Sequence, residues 1–229
     1  MTQSFLLGAY WSARNETLEQ CTERLGRLLH DLAEVDESLA TWYQRGRSRK
    51  DALAQELSFC ERTQIIAILE KGRNRRDIGN EVIEDLGFRI GLWNGAIDQD
   101  LSSSLGVHCG AYGPHVGNSV TLSLPAAIVC RLGAEKIEYL LSLTCEIWQP
   151  EWAGVMSKQA MQARNFSGRR PFVDWMVYVP RTIHVVPPFA TVMPVQGLGS
   201  IVTVQPEPPW GVDPEELRRI GQVEAAISI

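Results

Sequence analysis

The sequence predicts an α+β fold, with amphipathic helices packed on an antiparallel or mixed sheet in one domain over residues 1–229. Three observations lead there. Helical periodicity and two-residue alternation occupy separate stretches of the chain. Gly, Pro and Asn punctuate the strand-like stretches at short intervals. No internal repeat or low-complexity linker divides the 229 residues, a length sufficient to bury a substantial core.

Residues 5–11, FLLGAYW, form an apolar run of aromatic and aliphatic side chains and read as a first strand. Beyond it Leu18, Cys21, Leu25, Leu28, Leu29 and Leu32 recur three and four apart, which gathers them on one helical stripe. Asn15 is the expected cap of this helix, with Glu16 in the positive first turn. Residues 38–43 end in Trp42-Tyr43 and read as an aromatic plug. Ser48 is placed to cap a helix containing Leu53 and Leu57. Residues 63–71 form another, apolar at Ile65, Ile66, Ile68 and Leu69 and stopped at Gly72, with Lys71, Arg73, Arg75 and Arg76 at its carbonyl end. From residue 80 the pattern turns to strands: 88–96 with Asn94-Gly95 as a turn, 105–112, and 119–124. Residues 126–132 are apolar and of undecided type. Residues 134–147 form the second strong amphipathic helix, which must end by Gln149 because Pro150 disfavours a helical residue before it. A strand at 152–157, a helix at 159–164 and a strand at 172–179 follow, the last with Trp175 and Tyr178 on opposite faces. Two strands within 192–205 are joined at Gly197-Leu198-Gly199, and a helix over 213–227 is capped by Asp213 with Pro214 in its first position.

The net charge of −5 is unevenly spread. Residues 44–76 hold nine Lys and Arg against four Asp and Glu, so the remainder of the chain carries −10. Six of those acids fall within residues 77–100 against one Arg. An acidic balance of this kind disfavours phosphate backbones and suits a basic protein surface. The basic segment lacks the interleaved aromatics that a nucleic-acid patch uses, so neither nucleic acid nor membrane is an expected partner. The longest apolar runs fall short of the ~20 residues of a spanning helix, and the N-terminal stretch lacks the basic region of a signal peptide. The five cysteines form no Cys-x-x-Cys pair, which points to a reducing compartment, and the cytoplasm is expected.

Little in the chain speaks for catalysis. His108 and Cys109 supply the parts of a thiol nucleophile, but adjacent strand residues point to opposite faces, and His115 lies beyond a loop. The four histidines include no metal-binding spacing, so no metal or cofactor is expected. Gly197-x-Gly199 lacks the third glycine of a dinucleotide loop. Glu81, Glu84 and Asp85 form a carboxylate cluster with nothing basic or metal-binding accompanying it in sequence.

The opening Tyr10-Trp11-x-Ala13-Arg14-x-Glu16-Thr17-Leu18-Glu19-x-Cys21, then Trp42-Tyr43 before a basic loop, resembles the immunity protein 52 family of bacterial polymorphic toxin systems. The stretch around Trp152 and the run from Pro171 to Val179 with Trp175 and Tyr178 fit the same family, so the resemblance covers most of the chain in order. It implies a cytoplasmic, non-enzymatic inhibitor that binds one cognate toxin stoichiometrically, usually a nuclease exported by a type VI or related secretion system. It implies no catalytic residues. Glu81, Glu84, Asp85, Trp93, Asp98 and Asp100 are the candidates for the toxin-binding face, because a tryptophan flanked by exposed carboxylates suits the basic cleft of a nuclease. The rival readings are a small enzyme built on Cys109 and a binding or scaffolding domain without a toxin.

Overall fold

The computed structural model of the chain describes residues 3–58, 60–210 and 212–228. Its strands are β1 (Ser4–Trp11), β2 (Trp42–Gln44), β3 (Glu56–Leu57), β4 (Phe88–Trp93), β5 (Ser104–Cys109), β6 (Asn118–Pro125), β7 (Trp152–Ser157), β8 (Met176–Val179), β9 (Thr191–Val195) and β10 (Gly199–Thr203). Its helices are α1 (Leu18–Val35), α2 (Arg49–Leu53), α3 (Arg62–Lys71), α4 (Ala126–Trp148), α5 (Lys158–Ala163) and α6 (Pro214–Ala226). The fold is α+β, as the sequence predicts, and the strand pairing is antiparallel. Contacts gather the chain into two compact units, residues 11–122 and residues 1–10 with 123–229.

In the unit of residues 11–122 the strand order is β3-β2-β4-β5-β6. Helix α1 packs against α3, and its stripe of Cys21, Leu25, Leu28, Leu29 and Leu32 is buried. The cap of α1 is Thr17 rather than Asn15. Its hydroxyl accepts the Gln20 amide at 3.2 Å while the Gln20 side chain returns a bond to the Thr17 amide at 2.9 Å, a reciprocal box that satisfies two otherwise orphaned donors. Glu16 is displaced from the first turn into an ion pair with Arg14 (3.3 Å) and Arg24 (2.9 Å), where its side chain is buried. Helix α2, capped by Ser48, ends at Leu53, and Leu57 belongs instead to β3, where it pairs with Trp42 of β2 and is buried. Strand β4 stops at Trp93, short of residue 96, because the Asn94 side chain binds nearby backbone and Gly95 takes φ +78°. Strand β5 stops at Cys109 because Gly110 takes φ +70°.

In the other unit the order is β1-β7-β8-β10-β9. The strand expected over 172–179 is only four residues long. Ahead of it Asp174 is wholly buried and accepts the Ser157 amide at 2.7 Å, so a side chain takes the place of a ladder carbonyl. Both faces of β8 are covered: Val177 and Val179 join α6 residues Ile220 and Val223 in one cluster, and α4 packs on the sheet as well. That double covering explains why Trp175 and Tyr178 are both buried although they lie an odd number of residues apart. The indole of Trp175 donates to the Gln205 carbonyl at 3.0 Å and the Tyr178 hydroxyl to that of Leu198 at 3.1 Å, so each large ring also discharges its polar atom. The undecided stretch 126–132 is helical, and α4 breaks at Gly133 (φ 72°, ψ 171°) before continuing to Gln149, whose left-handed φ of 47° ends it. The hairpin of β9 and β10 and the Asp213-capped α6 form as expected.

Candidate functional site

The six residues singled out in sequence fall in two groups at opposite ends of β4. A six-residue strand separates them by about 17 Å at ~3.4 Å per residue. Glu81, Glu84 and Asp85 precede the strand; Trp93, Asp98 and Asp100 end or follow it.

The first group is not a bare acidic patch. Glu84 meets Arg73 at 3.1 Å and Glu81 meets Arg76 at 4.0 Å, so cations of the preceding basic cluster fold back on these carboxylates. This corrects the sequence expectation that nothing basic accompanies them. Arg73 also lies over the Phe88 ring, 5.1 Å from its centroid. The Asp85 backbone carbonyl accepts from the amides of Tyr112 (3.0 Å) and Gly113 (2.9 Å), which ties its loop down rather than presenting it.

Trp93 closes β4 and Asp98 and Asp100 lie on the loop 94–103 between β4 and β5, which Asn94 organises. Its side-chain amide donates to the carbonyls of Ser38 (3.0 Å) and Leu101 (2.9 Å), and its oxygen accepts from Ser103 (2.9 Å) and Ala96 (3.4 Å). Gly95 packs on Tyr43 so closely that a Cβ there would lie 2.5 Å from the ring. The half-buried Trp93 donates its indole N–H to the Ser102 hydroxyl at 2.9 Å and lies 6.3 Å from the Tyr43 ring. Asp98 accepts the Asp100 amide at 2.9 Å and fixes the turn over 99–101. What this framework displays is apolar as well as acidic: Ile97 is 76% exposed and Leu101 37%, between the exposed carboxylates of Asp98 and Asp100. Ile97 and Leu101 escaped the sequence reading. The signal was present in the run Ile97-Asp98-Gln99-Asp100-Leu101, where apolar and acidic residues follow a turn with no strand or helix to bury them.

The Cys109 environment opposes a nucleophilic role. The thiol is buried against Cys21, and the bond with that second thiol, the loss of water and the nearby Glu16 push its pKa well above the usual range. A reactive thiol needs the reverse. His108 turns away, its Nε2 2.9 Å from the Leu86 carbonyl. Among the described residues no three His, Cys, Asp or Glu gather as metal ligands. No helix of the described residues is long and apolar enough to cross a membrane.

The profile of immunity protein 52 matches residues 3–228. The chain belongs to the immunity protein 52 family. Membership gives the chain the role of an immunity protein, whose partner is a toxin. The residues that carry the family's opening motif serve the fold. Arg14 lies 4.9 Å over Trp11 and reaches Glu16, and Cys21 packs on Cys109, all within one unit; Tyr10 stacks on Trp152 at 4.5 Å in the other. A solved structure, the Pseudomonas aeruginosa T6SS protein PA0821, shares the fold with a TM-score of 0.59 and 9% identity, covering 99% of this chain and 76% of its own. At that identity the likeness is one of fold. No curated protein matches the sequence.

Proposed function

We propose that this protein neutralises a secreted nuclease toxin in the cytoplasm, by stoichiometric binding without turnover, with residues 1–229 acting as one immunity module. The observation that carries the reading is Trp93 with the adjoining loop 94–103, where Ile97, Asp98, Asp100 and Leu101 stand on a hydrogen-bonded framework. A rigid apolar centre with an acidic rim is how a protein surface binds a basic cleft: the apolar side chains bury area and the carboxylates steer the encounter. Pre-organisation by Asn94 lowers the ordering cost of association. Family membership supports a toxin partner, and the T6SS description of the structural neighbour favours delivery by a type VI system. Glu81, Glu84 and Asp85 lie about 17 Å away along β4 and, already paired or tied down, contribute at most to the periphery of this face.

The test is co-purification with the product of the neighbouring gene, followed by growth rescue in cells expressing that product. Wild type is expected to form a complex and restore growth, and Ile97→Asp with Asp100→Lys to lose both while remaining folded by circular dichroism. Rescue by the double variant at wild-type levels would remove the loop from the interface; a folded wild type that neither binds nor rescues would remove the function.

A further inference from the structure

Helix α3 and strands β2 and β4 enclose an open trough on the surface of the unit of residues 11–122. One cavity of about 360 Å³ is lined by the exposed Arg45, Lys71 and Arg89 and by Ile68, Ile90 and Leu92, of which Ile90 is half-buried and the other two are buried. A second of about 330 Å³ continues it, sharing Gln44, Ile68 and Lys71 and adding the amides of Gln55 and Gln64. Two glycines make the trough possible. A Cβ on Gly72 would lie 2.2 Å from the Arg89 carbonyl, so this residue lets the end of α3 close on β4. A Cβ on Gly91 would lie 3.3 Å from Arg45 Nε, so the Arg45 side chain lies across bare backbone there.

The charge is one-sided. Among the described residues lining the first cavity there are three cations and no carboxylate. The carboxylate of the second, Glu56, is engaged by the Tyr43 hydroxyl at 3.4 Å. Lys71 keeps its place by donating to Gln44 at 3.3 Å. In a chain of net charge −5, three cations gathered beside the half-buried Ile90 with no carboxylate in the lining are unlike an ordinary solvated face. The lining contains no aromatic ring on which a base would stack, whereas its side-chain amides match polypeptide.

We infer that this trough is a second docking site, which takes an acidic, extended segment of a partner protein, its carboxylates on Arg45, Lys71 and Arg89 and an apolar side chain against Ile90. The site does not depend on the loop 94–103 and stands whether or not that loop meets a toxin.

The experiment titrates the whole protein into a short fluorescein-labelled peptide of repeating Glu-Val-Ser and, separately, a labelled oligothymidylate of matching length, reading anisotropy. The variant Arg45→Glu with Arg89→Glu is compared with Arg47→Glu with Arg49→Glu, an equal charge change on exposed arginines outside the trough. Peptide binding is expected to weaken roughly tenfold or more in the trough variant and to stay within about twofold in the control. Equal losses in both variants, no peptide binding by wild type, or preference for the oligonucleotide would each overturn the inference. Unfolding curves for both variants exclude a general loss of structure as the cause.

Discussion

At the scale of single residues, burial sets the chemistry. Asp174 is fully buried, and loss of water pushes its pKa up to about 6, against the downward pull of Ser157 and Arg164. A carboxyl whose folded pKa lies above its unfolded value of 3.8 binds its proton more tightly in the native state. Its contribution is therefore most favourable below pH 4 and is lost as pH rises to about 6. Wild type is expected to lose about 2 kcal/mol between pH 4 and pH 7 relative to Asp174→Asn, whose amide does not titrate. Urea unfolding at the two pH values measures that difference, and parallel pH dependences would contradict it. The cysteines give a second residue-scale expectation. Cys60 and Cys130 are exposed while Cys21, Cys109 and Cys145 are buried. Iodoacetamide is expected to modify the two exposed thiols of the native protein and all five in denaturant. Rapid native modification of Cys109 would revive the enzyme reading.

At the scale of elements, Asn94 decides whether a loop becomes a surface. Asn94→Ala removes four hydrogen bonds, three within the loop and one to Ser38, and is expected to cost about 1–2 kcal/mol of stability. It is expected to weaken toxin binding more than tenfold through loss of pre-organisation. A binding isotherm beside an unfolding curve separates the two effects; unchanged affinity would show that the loop's order is irrelevant to binding. Asn94-Gly95 was legible in the sequence as a turn, but its consequence was not, because the Asn94 amide bonds to Ser38, 56 residues away. Helix α1 and the part of α4 over residues 134–147 were legible because periodicity records burial directly, and α6 because Asp213 and Pro214 mark its start, whereas the part of α4 over residues 126–132 was not. The cap of α1 is readable as Thr17-x-x-Gln20 rather than as Asn15, whose neighbour Glu16 is drawn into ion pairs with Arg14 and Arg24. Leu57 and the start of β8 failed for a similar reason: a cross-strand partner, Trp42, and a buried carboxylate, Asp174, overrode local pattern.

At the scale of the whole molecule, the family's motif residues build the two units and the candidate binding residues stand apart from them. The aromatic and charged positions of the opening motif are spent on packing, from Tyr10 on Trp152 to the Arg14–Glu16 pair and Cys21 on Cys109 of β5. The loop 94–103 and the basic trough lie on the surface of residues 11–122, where side chains are free to suit a particular partner without cost to the core. The surface proposed for recognition thus lies outside the packed core, as expected of an inhibitor matched to one toxin. It also explains why the sequence disclosed the acids of the candidate surface but not their pairing: charge is readable from composition, and Arg73 on Glu84 is a product of the fold. The measurement that bears most directly on the central claim is an inhibition titration of the purified cognate toxin. Stoichiometric binding predicts that toxin activity falls linearly with added protein and ends at one equivalent, with the toxin recovered intact when the complex is dissociated. Full inhibition at a small fraction of an equivalent, or a toxin left covalently altered, would mean turnover and would contradict the account.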